Sequence, residues 1–250
     1  MSETNLEVKY PRRRFIRGLL RAGIDLATVV ITNMEIKGRE HLPRGGPLIV
    51  VANHFAFADP AVMIKAVPYP IEFIGGFVNP GAPPWATFFS RSWGYYPVMR
   101  GTASRLALKA SERVLNQGGV LGIFPEAGNW AQVLRPARPG TAFLAARTGA
   151  RILPMGFEGV QDIFKQPRAR VTIRIGKPFG PVKANGRGRE HRRQLDQIGH
   201  EIMQRIAELI PPERRGFYSD DPAIREAAKG TEIYPWDNAV ETDFATGQDA

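Results

Sequence analysis

An α/β fold, an αβα sandwich around a mixed, largely parallel sheet, is what this 250-residue chain predicts. Short apolar runs such as Pro47 to Ala52, Val120 to Phe124 and Arg151 to Phe157 alternate with longer stretches of helical period. Glycine and proline stand at most of the changeovers. A chain of this length with 43% hydrophobic residues fits one globular domain with appendages.

Taken in order, residues 1–10 carry no periodic pattern and are expected to be loosely attached. From Arg12 to about Thr32 the spacing is helical. Arg14, Arg17 and Arg21 fall on one face, with Phe15, Leu19, Leu20, Leu26, Val29 and Val30 mostly opposite. A basic face beside an apolar one suits an interfacial helix, the arginines meeting anionic headgroups while the apolar side enters the acyl boundary. The alternative is a helix packed on the domain with solvated arginines. Met34 to Ile36 and Pro47 to Ala52 read as strands, Asp59 to Ala66 as a helix opened by Asp59 as cap and Pro60 at its first position, and Ile71 to Ile74 as a short strand. Trp85 to Trp93 is a short aromatic helix whose stripe is expected to face the core, the alternative being a gate for an acyl chain or a membrane contact. Thr102 to Gln117 is amphipathic, with Thr102 or Ser104 as cap and Gly118-Gly119 as stop. Val120 to Phe124 is a buried strand, Thr141 to Thr148 a helix, and Arg151 to Phe157 another strand. Ala169 to Ile175 alternates basic and apolar residues as a half-exposed strand does, and Arg189 to Ile210 is a long charged helix. The expected organisation is a membrane-associating helix over 1–33, a main domain over 34–215 and an irregular tail over 216–250.

The net charge of +10 and a pI near 10.2 imply an anionic partner. No zinc-finger spacing, aromatic RNA-binding motif or helix-turn-helix is present, which argues against nucleic acid and for an anionic membrane surface or a phosphorylated substrate. The chain has no cysteine, so disulfides, thiolate metal sites and a cysteine nucleophile are excluded. The four histidines show no His-Glu-x-x-His pattern, and no metal site is expected. No stretch reaches the roughly 18 to 20 uncharged residues that span a bilayer. Arg17 and Arg21 interrupt what would otherwise resemble a secretory signal. The expected location is therefore peripheral, on the cytoplasmic face of the cell membrane.

The candidate chemistry lies in Asn53-His54-Phe55-Ala56-Phe57-Ala58-Asp59-Pro60, directly after an apolar strand. Open α/β sheets place their chemistry at the carboxyl ends of strands. A carboxylate near a histidine fixes its tautomer and raises its basicity. On one continuous helix five steps turn roughly 500°, leaving the two side chains about 140° apart. His54 and Asp59 meet only if the chain bends, with His54 on the turn and Asp59 near the next helix start. The bland alternative is a structural histidine beside an ordinary helix start.

This block resembles the Asn-His-x4-Asp motif of the glycerolipid acyltransferase family. Gly94-Tyr95-Tyr96-Pro97-Val98-Met99-Arg100-Gly101, Ile123-Phe124-Pro125-Glu126-Ala127-Gly128 and Ile152-Leu153-Pro154-Met155-Gly156 resemble its later blocks, in the family's order. The likeness covers about residues 34 to 180. It implies an αβα fold and transfer of a fatty acyl group from acyl-CoA or acyl-carrier protein, used as substrate and not as bound cofactor. The acceptor it implies is the hydroxyl of a lysophosphatidate-type lysophospholipid. His54 and Asp59 would be catalytic; Asn53, Arg100, Glu126, Gly128 and Arg138 would bind substrate, Arg100 at the acceptor's phosphate. With no Gly-x-Ser-x-Gly and no cysteine, direct attack by the acceptor hydroxyl is expected, not a covalent acyl-enzyme.

Departures from the family bear on the acceptor. Ala127 and Gly128 follow Glu126 where Gly-Thr is usual, with Gly128 expected to supply the backbone freedom that Ala127 lacks. Asn129 stands where arginine is common, and Arg135 or Arg138 is expected to restore the charge. Gly75-Gly76 replaces a common lysine. Other acceptors, such as a lyso-ornithine lipid or a glycolipid, and a noncatalytic membrane-binding relative are the alternatives.

Overall fold

The computed structural model describes residues 8–76, 83–98 and 105–233. A seven-stranded sheet runs in the order β1-β7-β6-β2-β5-β3-β4. Its strands are β1 (Thr32–Lys37), β2 (Leu48–Ala52), β3 (Ile71–Gly76), β4 (Tyr95–Val98), β5 (Val120–Ile123), β6 (Arg151–Glu158) and β7 (Ala169–Ile175). Only β6 and β7 pair antiparallel; every other pair is parallel.

Seven α-helices among the described residues accompany the sheet: α1 (Arg14–Ile31), α2 (Asp59–Ala66), α3 (Pro84–Trp93), α4 (Arg105–Asn116), α5 (Pro139–Thr148), α6 (Gly188–Ala207) and α7 (Pro222–Ala228). Central β2 is buried along its whole length, which is why it reads as an unbroken apolar run. Leu48, Val50 and Ala52 pack with Ile24 of α1, Met63 of α2 and Trp93 of α3. Ile49 and Val51 pack with Val114 of α4, Leu144 of α5 and Ile202 of α6. The period-two alternation of a strand therefore builds both cores of the sandwich.

Four parts differ from the sequence expectation. The first is α1, where Arg17 and Arg21 turn toward the domain while Arg14 stays exposed. Arg17 is buried and bonds the fully buried Glu72 of β3 through both terminal nitrogens, at 2.5 and 2.8 Å. Arg13 donates to the Arg91 and Ser92 carbonyls, and Arg17 Nε to the Trp93 carbonyl, closing the carboxyl end of α3. Arg21 donates to the Val67 carbonyl at the end of α2. Helix ends leave carbonyls without intrahelical partners, and these guanidinium groups satisfy them. Solvent instead meets Phe15, Leu19, Leu26, Val29 and Val30, all exposed. A count of apolar residues per face cannot foresee such an inversion, because it depends on what the rest of the fold leaves unpaired.

The second is the aromatic helix α3, which splits. Trp93 is buried and donates from Nε1 to the Ile71 carbonyl, whereas Trp85 and Phe88 are exposed. The third is the tail, which is not irregular throughout. Pro222–Ala228 is helical, with the Asp221 side chain accepting from the Ala223 N–H and Pro222 at the first position. Strand β7 is also more buried than its alternation suggests, since it has neighbours on both sides in β1 and β6. The expected caps Thr102 and Ser104 lie outside the described residues.

Candidate active site

The site forms where neighbouring parallel strands end together. In the β2–β5 pair Val51 sits opposite Ile123, so three residues further along each chain His54 comes beside Glu126. The His54 backbone N–H donates to Glu126 Oε1 at 3.0 Å. The sheet register thus brings the first and third sequence blocks together.

The bend required by the His-Asp spacing is present. Asp59 is the first residue of α2, while the cap position belongs to Ala58 and makes no side-chain bond. The Asp59 carboxylate turns back over the preceding loop instead. Its Oδ2 accepts from His54 Nδ1 at 2.8 Å and from the backbone N–H groups of Phe55 and Ala56, each at 2.8 Å. An oxygen that already accepts two backbone N–H bonds acts as an acceptor toward the ring as well. The network therefore assigns the ring proton to Nδ1 and leaves the lone pair on Nε2. The imidazole stacks on Phe124, with centroids 4.2 Å apart and 19° between planes. Its side chain keeps 17% of its surface exposed against 1% for Asp59, so the histidine is the member of the pair open to a ligand.

Glu126 is buried with Arg135. Burial raises the Glu126 carboxyl to about 7, against the opposing pull of Arg135 and of the N–H groups of His54 and Arg135. Its Oε2 accepts from the Arg135 backbone N–H at 3.1 Å and from Arg135 Nε at 3.3 Å. Glu126 therefore holds the His54 turn from beneath. Two further supports were not among the expected site residues: Phe124 under the ring, and Gln132, whose Nε2 donates to the Phe55 carbonyl at 3.0 Å. Phe124 stands in the third block, where its neighbour Glu126 drew the attention; nothing in the sequence marks Gln132.

The other expected substrate contacts fare differently. Asn53 is completely buried, and its amide is taken by β6: Nδ2 donates to the Phe157 carbonyl at 3.0 Å and Oδ1 accepts the Phe157 N–H at 2.8 Å. It stitches the end of β2 to β6 and does not face a ligand. Gly128 offers its carbonyl to Arg135, and a Cβ there would sit 2.0 Å from the Trp130 ring. Ala127 itself takes the left-handed backbone, at φ 63°, so the freedom assigned to Gly128 is not where the turn needs it. Arg138 is exposed and donates to the Glu232 carbonyl at 3.2 Å. Arg135 does not restore a lost surface charge, because it is buried against Glu126. Arg100 lies outside the described residues.

These features agree with the comparisons. The Acyltransferase family matches residues 33–158, just over half of the chain. The 1-acyl-sn-glycerol-3-phosphate acyltransferase of Bacillus subtilis (strain 168) is 22% identical over 183 residues, covering 70% of this chain and 87% of that one. Among solved structures, the 1-acyl-sn-glycerophosphate (LPA) acyltransferase PlsC from Thermotoga maritima shares the fold. Its TM-score is 0.52 at 21% identity, over 76% of this chain and 81% of that chain. With its His54–Asp59 pair at the end of the central strand and this match across both cores, the chain belongs to the acyltransferase family.

Proposed function

We propose that the protein transfers a fatty acyl group from acyl-CoA or acyl-carrier protein to the free hydroxyl of a lysophosphatidate-type glycerolipid, in phospholipid biosynthesis. The observation that carries this reading is the oriented imidazole, with Nδ1 held by Asp59 and Nε2 left to take a proton. The acceptor hydroxyl oxygen attacks the thioester carbonyl carbon as His54 Nε2 removes the hydroxyl proton. The tetrahedral intermediate collapses, the carbon–sulfur bond breaks, and the thiolate takes the proton back from the imidazolium. Asp59 stabilises that imidazolium through the Nδ1–H bond.

One observation favours a different acceptor as second reading. Asn129 stands where the resemblance leads one to expect an arginine, and Arg135 faces Glu126 inside the protein. A lyso-ornithine lipid or a glycolipid would need fewer phosphate contacts. The deciding experiment gives the purified protein labelled palmitoyl-CoA or palmitoyl-acyl-carrier protein with vesicles of each lyso-lipid. Label is expected in phosphatidate first. Label only in another lipid would move the acceptor, and vesicle binding without transfer to any acceptor would leave a noncatalytic membrane-binding relative.

Membrane attachment is the remaining part of the proposal. Among the described residues no helix is long and apolar enough to cross a membrane. Yet α1 turns Phe15, Leu19, Leu26 and Val30 to solvent, and α3 adds Phe88 and Trp85, the latter packed on the exposed Phe164 at 4.9 Å. Several large apolar side chains exposed along one helix mark an interaction surface, and a bilayer interface covers them without a protein partner. A substrate that lives in a bilayer gives the same surface a purpose. Leu19→Asp combined with Leu26→Asp is expected to weaken vesicle cosedimentation at least about a hundredfold, since each buried leucine contributes about 1.5–3 kcal/mol. Unchanged cosedimentation would remove α1 from the attachment.

A further inference from the structure

We propose that Arg135 is a positioning residue for acyl transfer: paired with Glu126, it fixes the turn that carries His54 and makes no contact with substrate itself. The proposal rests on the reading of His54 as the base.

The contacts form one continuous chain. Arg135 presents two donors, its backbone N–H and its Nε, to the same oxygen of Glu126, at 3.1 and 3.3 Å. That double hold rotates the carboxylate so that Oε1 points at the His54 N–H, 3.0 Å away. The far side of the guanidinium is anchored too. It donates to the Gly128 carbonyl and lies over the Trp130 ring at 3.7 Å, and Trp130 Nε1 donates to the Thr231 carbonyl at 2.9 Å. The Arg135 side chain is 2% exposed, too enclosed to meet a substrate phosphate.

Electrostatics gives the arrangement its purpose. A carboxyl group buried without a cation takes up a proton, and one of its oxygens then becomes a donor. The turn would lose an acceptor that is fixed in direction. A buried ion pair adds little stability over apolar residues of the same size, and its best-attested use is to fix one arrangement among several. Here the arrangement fixed is the backbone under His54.

Four variants test this: Arg135→Met, Arg135→Lys, Glu126→Gln and the Glu126→Gln/Arg135→Met double. Arg135→Met should lower kcat about 30-fold or more while KM changes less than about threefold, the pattern of a group that acts on the transition state and not on substrate binding. Arg135→Lys keeps the charge and should recover about tenfold of that loss. In the Glu126→Gln background the Arg135→Met change should alter kcat less than about threefold, because the two residues act as one unit. Hydrogen exchange of the peptide covering residues 53–58 supplies a readout without substrate. It should quicken about tenfold in Arg135→Met and differ little between Glu126→Gln and the double variant. Should Arg135→Met fail to fold, the lysine variant and the uncharged double variant still decide the matter by exchange. A wild-type protein that transfers no acyl group would defeat the proposed function, while the exchange comparison would still judge Arg135. Equal exchange in wild type and Arg135→Met, or additive losses in the double variant, overturns the proposal.

Discussion

Replacing His54 by alanine should reduce acyl transfer by about three to four orders of magnitude, the size of effect that removal of a positioned general base produces. Glu126, which lies under the same turn, is buried and already occupied by the His54 N–H and Arg135. Asp59→Asn should lose about two to four orders of magnitude by a different route. An asparagine can still offer one oxygen to Nδ1, Phe55 and Ala56, but it is a weaker acceptor and brings no charge to stabilise the imidazolium. The two variants should not multiply, because both act on one ring. Initial rates with labelled acyl donor, on protein shown folded by circular dichroism, provide the check. Retention of more than about a tenth of the wild-type rate in His54→Ala would remove the histidine from the chemistry, since the base is asked to supply at least a hundredfold.

What the sequence displayed and what it hid divide along a physical line. Strands β2 and β5 were legible because burial on both faces forces continuous apolar runs, and α2 because a proline follows its first residue. The bend between His54 and Asp59 was legible because helical geometry alone forbids their meeting otherwise. The partners of the site were not. Glu126 reaches His54 only through a parallel register, and register between strands about 70 residues apart leaves no local trace. Asn53 sits beside His54 and looks like a ligand contact, yet its amide is used by Phe157 across the sheet. Arg135 could be read only as a cation in search of an anion; the sequence offered a phosphate, and the fold supplied Glu126. Side chains whose role is set by long-range pairing are where local reasoning fails.

The same failure at α1 yields the largest expected effect on stability. Arg17→Met should destabilise the fold by about 3–5 kcal/mol, because it leaves the buried Glu72 carboxylate without its principal partner. In a domain of this size that corresponds to a fall in Tm of roughly 6–20 °C. Glu72 does retain Arg12, whose Nε lies 2.7 Å from Oε2, but that side chain is partly exposed and meets only one oxygen. The loss also strips a donor from the Trp93 carbonyl and a cation from the Trp93 ring, 5.1 Å away. Adding Glu72→Met to Arg17→Met should recover most of the stability, since both buried charges then vanish together. Headgroup binding by Arg17 makes the opposite forecast. On that view Arg17→Met would leave Tm unchanged and weaken binding to anionic vesicles, whereas the buried pair requires a lowered Tm in the absence of lipid and vesicle binding preserved below it. Calorimetry and cosedimentation on the same preparation separate the two, and an unshifted Tm would show that α1 is not latched to the sheet through Glu72.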